Sequence, residues 1–426
     1  MSSLKYWVWL SALTNLKPRT RAELIEAFGE AQSVYFATER QLAESCRLTD
    51  GERALLADKN LDRANEILQF CQENHVSVVV IGDSAYPKRL MNIFDPPVVL
   101  YVKGTLPAID EQAAIAVVGT RKATPYGISM AERLGFELSR SGGLVVTGLA
   151  AGVDSASAKG ALKAGGSCVG VLGCGIDQVY PLWNRELYDD VAAVGALISE
   201  YPPETPLSGK NFPERNRIMA GLSVGVTVIE APMGSGALIT AARALEQGRE
   251  VFAVPGNADA ENCAGSNMLI KDGAQLITCG WDILSEFKQL FPEKLSKPDP
   301  KKPPQTELGG IEQAKKLIAA EQLRSQKAEP ETGVGFAKLR VKTDRKRIDN
   351  EKQREYIDLK EQLTGLTETQ LKIISVMDSK SKHVDDIISQ SGLSAPVVLS
   401  ELTIMQIKGF VFQESGKRFT LNIRLK

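Results

Sequence analysis

Residues 115–121 read Ile-Ala-Val-Val-Gly-Thr-Arg, and this stretch, with its apolar run at 115–118, decides the fold that the sequence predicts. Its apolar part is continuous instead of alternating, which is typical of a strand covered on both faces of a sheet. The apolar run ends directly in Gly119-Thr120-Arg121, and a helical stretch follows at 127–139. A strand followed by a helix is the repeating element of an open α/β sheet.

The same alternation continues to residue 278. Further β-rich runs occur at 144–147, 168–172, 196–199, 224–229, 250–254 and 275–278. Helical stretches between them include 155–164, 214–220 and 238–247. Strands that alternate with helices predict a Rossmann-like, doubly wound and mostly parallel α/β sheet over residues 110–290.

The flanking segments have different textures. Residues 1–109 predict a small helical domain with a connector, because apolar residues recur at helical spacing in 21–28 and 53–71. β-like runs at 76–81 and 98–102 lie in the connector. Residues 291–362 are poor in apolar residues and predict a charged, largely disordered linker. Residues 363–426 contain three helical stretches and a hairpin, which predict a winged helix.

Composition excludes several classes of function. The 426 residues carry 51 Lys and Arg against 52 Asp and Glu, so global charge does not call for a nucleic-acid or membrane partner. No apolar run reaches about 18 residues, so no transmembrane helix is predicted. The six cysteines contain no Cys-x-x-Cys pair, and there are two histidines. This usage favours a reducing, cytoplasmic location and disfavours a disulfide framework, a zinc site or a Ser-His-Asp triad.

Glycine loops follow several of the predicted strands. Ligands of an open α/β sheet bind beyond the carboxyl ends of its strands, where these loops lie. Gly119, Thr120 and Arg121 combine close backbone approach with a guanidinium fork that can hold a phosphate, while Ser235 and Gly236 open a helix whose N-terminus favours anions. One such loop alone is expected to be a simple turn. Several at one edge favour an anionic ligand.

The stretch 212–217 is a second cluster, with the sequence Phe-Pro-Glu-Arg-Asn-Arg. Phe212 precedes Arg215, Asn216 and Arg217, so an aromatic ring lies beside two cations and an amide. Such a set can hold a phosphate and stack a base. The alternative is that the arginines form surface ion pairs, as arginines on helices usually do.

Cofactor and catalytic signatures are weak. The glycines at 173 and 175 lack the third glycine of a dinucleotide fingerprint, and no Walker A motif occurs, so no cofactor is predicted. The carboxylates near strand ends are expected to cap helices or pair with arginines, and no catalytic residue or metal site is assigned. These carboxylates are Asp154, Asp177, Glu200 and Glu230.

Six stretches in a fixed order resemble one known family. They are AVVGTRKATPYG (116–127), TGLAAGVD (147–154), VLGCGIDQVYP (171–181), FPERNRIMAG (212–221), SGALIT (235–240) and GREVFAVPG (248–256). Together they resemble the DprA family of DNA-processing proteins, also called Smf. The flanking segments resemble that family's N-terminal SAM-like domain and C-terminal winged helix.

The resemblance implies a function without catalytic turnover. A protein of this family binds single-stranded DNA, protects incoming strands and helps load RecA for recombination in natural transformation, as a homodimer formed through its Rossmann-like domain. Carried onto this sequence, the resemblance implies a DNA site made of Gly119, Thr120, Arg121, Lys159, Lys163, Phe212, Arg215, Asn216, Arg217, Ser235, Gly236 and Arg243.

The sequence departs from the family pattern in places. Thr120 stands where the family usually has serine, which retains the hydroxyl, and Ala158 stands where it usually has histidine. The linker is longer than usual, and its basic run at 338–347 is interpreted either as an additional DNA contact or as a solvated charge run. By resemblance, the dimer surface is expected at 267–284, where Ile270 and Leu276 could present apolar area.

The winged helix and the overall activity each allow two interpretations. The predicted helix at 395–407 has no Lys or Arg, so the winged helix is expected to serve protein interaction or packing instead of reading DNA. The alternative function for the whole chain is a nucleotide-cleaving, phosphoribohydrolase-like enzyme that uses Glu230 opposite Arg121. A purely structural scaffold is disfavoured, because glycine and arginine concentrate at one sheet edge.

Overall fold

The computed structural model of the chain describes residues 3–297, 368–377, 382–407, 411–414 and 418–421. The chain divides into one unit over 1–330 and a second over 331–426. The basic run at 338–347 and most of the predicted linker lie outside the described residues. The first linker residues are folded, because Leu295 is buried in the core of the first unit and the Ser296 N–H donates to the Ser141 carbonyl at 3.1 Å.

A single mixed sheet organises the first unit. Its strands are β1 (Val76–Val80), β2 (Val99–Gly104), β3 (Ala114–Val118), β4 (Leu144–Thr147), β5 (Cys168–Leu172), β6 (Ala196–Ser199), β7 (Gly225–Val228), β8 (Glu250–Ala253) and β9 (Gln275–Leu276). Their order is β1-β2-β6-β5-β4-β3-β7-β8-β9. The strands from β3 to β9 are parallel to their neighbours, whereas β2 pairs antiparallel with β6 and β1. The predicted Rossmann-like sheet is confirmed, and the predicted connector supplies two of its strands.

Helices precede the sheet and cover it. Those before β1 are α1 (Leu4–Ala12), α2 (Pro18–Phe28), α3 (Ala31–Phe36), α4 (Glu39–Ser45), α5 (Asp50–Ala57) and α6 (Asp62–Glu73). Those after it are α7 (Lys88–Met91), α8 (Pro125–Arg140), α9 (Val153–Lys163), α10 (Arg185–Val194), α11 (Asn211–Leu222), α12 (Gly236–Glu246), α13 (Ala264–Lys271) and α14 (Gly280–Leu284).

One predicted helix is two in the structure. The stretch 53–71 is interrupted between α5 and α6, where the Asp58 carboxylate accepts the Asn60 N–H at 3.0 Å and the Asn60 side chain accepts the Asp62 N–H at 2.6 Å. Such local side-chain to backbone bonds compete with the helical ladder. Prediction of a continuous helix was therefore wrong, although the apolar spacing was correct on both sides of the break.

The N-terminal helices and the sheet share one hydrophobic core. The Ser11 hydroxyl of α1 lies 2.7 Å from the hydroxyl of Tyr101 on β2, and both residues are buried. The Trp9 indole N–H donates to the Asp58 carbonyl at 3.0 Å. A helical segment with its own separate core would leave Tyr101 exposed, so α1–α6 are packed onto the sheet.

Strand β3 has apolar side chains on both faces, and both faces are covered by other parts of the fold. Successive side chains of a strand point to opposite faces. Ile115 and Val117 enter the large core that includes residues of α9 and of the N-terminal helices, while Ala116 and Val118 enter a second core on the other face. Both faces of the sheet are covered, as the sequence predicted.

The second unit is a winged helix, as predicted. Its elements are α15 (Glu368–Ser375), β10 (Lys382–His383), α16 (Val384–Ser391), α17 (Ala395–Ile407), β11 (Val411–Glu414) and β12 (Arg418–Leu421), and its strand order is β10-β12-β11. Ile373, Ile387, Leu402 and Phe419 form its core. Across the described parts of both units, no helix has the length and apolarity needed to cross a bilayer.

Candidate functional site

The strand order places a crevice between β3 and β7. From β3 the chain adds β4, β5 and β6 on one side, and then returns to place β7 on the other side of β3. Loops leaving the carboxyl ends of β3 and β7 therefore diverge, which is where open α/β sheets bind ligands. A cavity of about 450 Å³ occupies this position.

We call this cavity the strand-edge cleft. Its lining comes from the loop after β3, the start of α9, the first turns of α11 and the start of α12. The lining residues are Val118, Gly119, Thr120, Arg121, Ala150, Asp154, Gly209, Phe212, Pro213, Arg215, Asn216, Met219, Pro232, Ser235, Gly236, Ala237 and Thr240.

The loop after β3 is fixed by backbone hydrogen bonds. The Thr120 N–H donates to the Glu230 carbonyl at 2.7 Å, and the Thr120 carbonyl accepts the Val153 N–H at 3.3 Å. The Thr120 hydroxyl accepts the Lys122 N–H at 3.2 Å. Because both sides of the loop are held, Arg121 leaves a rigid backbone and its exposed side chain extends over the rim.

Arg121 belongs to an Arg-aromatic cluster at this rim, made of Arg121, Tyr180 and Phe212. Its guanidinium carbon lies 4.5 Å from the Phe212 ring centroid and 5.6 Å from the Tyr180 ring centroid. The two ring centroids are 5.9 Å apart. Tyr180 was not among the predicted site residues. The signal available for it was the Tyr-Pro pair at the end of one family-like stretch.

Arg215 forms the floor of the strand-edge cleft. It is 4% exposed, its Nη1 donates to the Val171 carbonyl, and its Nε has no hydrogen-bond partner among the described residues. The guanidinium lies against Gly148, where a Cβ would overlap its nitrogens. Glycine at 148 is therefore required so that the cation can be buried next to β4.

Asp154 supplies the countercharge. Its buried carboxylate accepts the backbone N–H groups of Gly148 and Ala150 and faces Arg215. Burial raises the pKa of Asp154 to about 6, although Arg215, the two backbone N–H groups and Arg121 act in the opposite direction. Between these residues Leu149 adopts φ 53°, a left-handed conformation that is costly for leucine. The loop is thus held in a strained shape at the cleft.

The start of α12 completes the wall. Ser235 caps the helix by accepting the Ala237 N–H at 3.3 Å. The Asn216 side-chain amide donates to the Gly236 carbonyl at 3.2 Å, so α11 braces α12. The first N–H groups of α12 lie beside the cavity, where a helix N-terminus favours an anion.

The structure brings eight of the twelve predicted residues together and leaves four outside. Those lining the strand-edge cleft are Gly119, Thr120, Arg121, Phe212, Arg215, Asn216, Ser235 and Gly236. Those elsewhere are Lys159, Lys163, Arg217 and Arg243.

Arg217 points away from the cleft into a buried ion-pair cluster. Its Nη2 lies 2.5 Å from Glu200 Oε2 and its Nε lies 3.3 Å from Asp95 Oδ2. Residues two apart on a helix are separated by about 200° around the axis, so Arg215 and Arg217 cannot face the same cavity. The ion-pair alternative is therefore correct for Arg217, but the pair with Glu200 is buried and not on the surface.

The other three cations lie on exposed surfaces. Arg243 pairs with Glu246 at 2.7 Å on α12, and Lys163 pairs with Glu132 of α8. Lys159 and Lys163 line a different cavity of about 260 Å³, together with Trp183. The first turn of helix α9 contributes Asp154 to the cleft. Lys159 follows more than one turn later on the same helix, and Lys163 more than two turns later, so neither lies at the cleft.

Most of the strand-end carboxylates have structural partners. Glu230 is buried and accepts from the Thr124 N–H at 2.8 Å and from the Thr124 hydroxyl at 2.5 Å, next to the start of α8. Asp177 accepts the Glu204 N–H at 2.8 Å, and Glu200 pairs with Arg217. Pairing with an arginine is confirmed for Glu200, and Glu230 holds the N-cap residue of α8, whereas Asp177 instead binds a loop N–H. The enzyme alternative requires Glu230 to line the cleft opposite Arg121, but Glu230 is not among the lining residues.

Replacing Arg217 with methionine is expected to destabilise the fold. The variant leaves Glu200 and Asp95 without their cation, and removing one member of a buried ion pair costs about 3–5 kcal/mol. Urea unfolding of Arg217→Met measures the loss. A free energy of unfolding equal to that of the wild type would contradict the ion-pair role.

Asp154 is expected to make stability depend on pH. A carboxyl whose folded pKa is raised stabilises the fold below its unfolded pKa, and that contribution is lost as the pH rises through about 6. The difference between the folded and unfolded pKa of Asp154 corresponds to about 3 kcal/mol in the free energy of unfolding. Urea unfolding at pH 4 and pH 7 should show a larger loss for wild type than for Asp154→Asn, which cannot titrate. Equal losses for the two proteins would contradict the raised pKa.

Comparisons with known proteins agree with this architecture. The family described as DNA recombination-mediator protein A matches residues 77–288, and the DprA winged helix domain matches 359–417. Protein Smf from Synechocystis is 29% identical over 426 residues, covering 98% of each chain. The DNA processing protein DprA of Bacillus subtilis is 41% identical over 223 residues, which are 52% of this chain and 75% of that protein.

A solved structure is also similar. The X-ray structure of DNA processing protein A from Streptococcus pneumoniae is 33% identical with a TM-score of 0.57, and the match covers 66% of this chain and 97% of that one. The family match at 77–288 includes every strand from β3 to β9 and both walls of the strand-edge cleft. With its Rossmann-like sheet, its switch-point cleft and its winged helix, the chain belongs to the DprA/Smf family of DNA-processing proteins.

Proposed function

We propose that this protein binds single-stranded DNA in the strand-edge cleft, protects incoming strands and helps load RecA onto them for recombination in natural transformation. The observation that carries the proposal is the Arg-aromatic cluster at the rim, above the buried cation of Arg215. Aromatic rings stack on bases, and guanidinium groups bind phosphates through charge-assisted hydrogen bonds.

The geometry favours a single strand over a duplex. Tyr180 and Phe212 present ring faces at the mouth of a concave cavity. A base can stack on such a ring only when it is not already stacked and paired within a helix. A duplex would present its phosphates to the rim but would keep its bases from the rings.

Electrostatic attraction of DNA has to come from positive charge at the strand-edge cleft and not from the charge of the whole domain. Residues 110–290 carry 14 Lys and Arg against 20 Asp and Glu, so the domain as a whole repels phosphate. Arg121 on the rim and Arg215 on the floor concentrate positive charge at the strand-edge cleft. Each phosphate that is neutralised adds about −0.7 to the slope of log affinity against log salt for single strands.

The carboxylates support binding without turnover. Glu200 and Glu230 are buried in structural contacts, which leaves Asp154 as the one of the four strand-end carboxylates that lines the cleft. Its oxygens accept backbone N–H groups and face Arg215. The nucleotide-cleaving alternative therefore depends on Asp154 alone, and release of free base from nucleoside monophosphates is its assay.

Other parts of the proposal concern partners and location. The free thiols of all six cysteines agree with a reducing cytoplasm, where RecA acts.

Helix α17 places Val398, Leu402 and Met405 in the winged-helix core and carries no Lys or Arg. We assign the winged helix to protein interaction or packing, and duplex DNA binding by this unit would contradict that assignment.

Loss of Arg121 is expected to weaken binding of single-stranded DNA. A hydrogen bond to a charged group contributes about 1.5–3 kcal/mol, so Arg121→Ala should lose roughly 10- to 150-fold in affinity and become less dependent on salt. Fluorescence anisotropy of labelled oligo-dT, with a duplex of equal length for comparison, measures both quantities.

Arg40→Ala is the matched control for charge. Arg40 is exposed on α4 and pairs with Glu44, so the variant has the same net charge as Arg121→Ala without touching the cleft. Unchanged affinity of Arg121→Ala at every salt concentration would contradict the site. The RecA step is tested with the same proteins, by measuring RecA assembly on oligonucleotides to which each protein has already bound.

We also propose a homodimer through the β9 edge of the sheet. Strand β9 pairs only with β8 among the described strands, Leu276 on it is 49% exposed, and Met268 on the preceding helix α13 is 43% exposed. An open edge with exposed apolar side chains can pair with another chain. Ile270, the other residue expected here, is half-buried.

Introducing a charge at this edge should separate the protomers. Leu276→Asp is expected to sediment as a monomer at concentrations where wild type is dimeric, because an unpaired carboxylate would be buried in the interface. Met91→Asp is the control, since Met91 has similar exposure on α7. A monomeric wild type, or a dimeric Leu276→Asp, would contradict the interface.

A further inference from the structure

Trp183 is the most exposed of the large apolar side chains in the described part of the chain. It is 79% exposed, and its neighbour Leu182 is 72% exposed. The three other tryptophans, Trp7, Trp9 and Trp281, are buried or half-buried. An indole held in water is unusual without a partner, because burial of an aromatic ring is strongly favourable.

The backbone presents this indole rigidly. Trp183 lies in a short 3-10 turn, Leu182–Asn184, closed by the Asn184 N–H donating to the Pro181 carbonyl at 3.0 Å. The Asn184 side chain is buried and donates to the Leu149 carbonyl at 3.0 Å. Leu149 belongs to the strained loop that Asp154 holds at the strand-edge cleft. The turn that carries Trp183 is therefore anchored to the wall of the cleft.

A cation lies beside the indole. Trp183 shares its cavity of about 260 Å³ with Lys159 and Lys163. Lys163 is engaged by Glu132, whereas Lys159 is exposed and has no ion pair within the described residues. Glu186 and Asp190 also line this cavity. Lys159 is the cation of the cavity that has no ion pair within the described residues, and so the one that can receive a phosphate.

The site continues the Arg-aromatic cluster. Tyr180 stands three residues before Trp183, so their Cα atoms are at most about 11 Å apart. The Tyr180 ring is next to Arg121 and Phe212. Phe212, Tyr180 and Trp183 thus form a series of exposed or half-exposed rings that begins at the cleft and extends beyond it.

We infer that Trp183 is a stacking platform for a base of single-stranded DNA that extends out of the strand-edge cleft, with Lys159 binding a phosphate of the same strand. The inference rests on the proposed function and adds a second contact to it. Stacking needs no particular base, because every base has a π face. The occupant is therefore a single strand of any sequence, longer than the cleft alone accommodates.

The test uses the full chain and oligo-dT of two lengths, four and twenty nucleotides. Stacking of one base contributes about 1–3 kcal/mol, so Trp183→Ala should weaken binding of the longer oligonucleotide roughly 5- to 150-fold. Trp183→Phe keeps a ring and should retain most of the affinity. Lys159→Ala should make the salt slope shallower by about 0.7. Binding of the four-nucleotide strand should change little in all three variants.

Tryptophan fluorescence gives an independent readout. Addition of poly-dT should quench the emission of wild type and of Trp281→Phe to similar extents, and should quench Trp183→Phe much less. Thermal unfolding of each variant serves as the fold control, since an indole this exposed contributes little to the core.

The outcomes separate this inference from the proposed function. The stacking platform would be overturned if Trp183→Ala bound the longer oligonucleotide with wild-type affinity and if poly-dT did not quench Trp183 in the wild type. If Arg121→Ala were still impaired in that case, the proposed DNA site in the strand-edge cleft would stand. Failure of wild type to bind either oligonucleotide would overturn both. Normal DNA affinity of Trp183→Ala combined with lost RecA assembly would assign the indole to a protein contact and overturn stacking.

Discussion

The buried pair of Arg215 and Asp154 is the constraint on which the candidate site depends. A guanidinium removed from water needs a countercharge and hydrogen-bond acceptors, because desolvation of an ion costs several kcal/mol. Asp154 supplies the charge and the Val171 carbonyl supplies an acceptor. These contacts connect the loop after β4, the end of β5 and helix α11. The same pair requires glycine at 148 and holds Leu149 in its strained conformation.

The arrangement divides the positive charge between two levels. Arg215 on the floor is buried and has Asp154 as its nearby countercharge, whereas Arg121 on the rim is exposed and contacts rings. Lowering the pH toward the raised pKa of Asp154 removes part of the neutralisation. The floor thus fixes the geometry of the cleft, and the rim provides the group that is free to meet a phosphate. A domain that is acidic overall can in this way present a local anion site.

Much of the first unit was predictable, for identifiable reasons. Strands β4, β5 and β6 agree with their predicted bounds, because a strand buried on both faces needs a continuous apolar run. The break between α5 and α6 was missed, since Asp58 and Asn60 form turns whose side-chain bonds leave no trace in apolar periodicity. The connector's two strands were recognised as β-like, but the pairing of β2 with β6, which joins both strands to the sheet, depends on contacts distant in sequence.

By itself the sequence determined which chemistry the chain can present: glycine loops at strand ends, arginines beside an aromatic residue, and an alternation that allows one sheet architecture. Tertiary structure alone decided which side chains share a cavity. Arg215 and Arg217 have the same side chain and lie two residues apart, yet they face opposite sides of helix α11. Arg215 therefore lines the cleft, whereas Arg217 pairs with Glu200. Tyr180 enters the rim cluster from a distant loop. Spatial proximity arises from packing between remote segments, which local patterns do not encode.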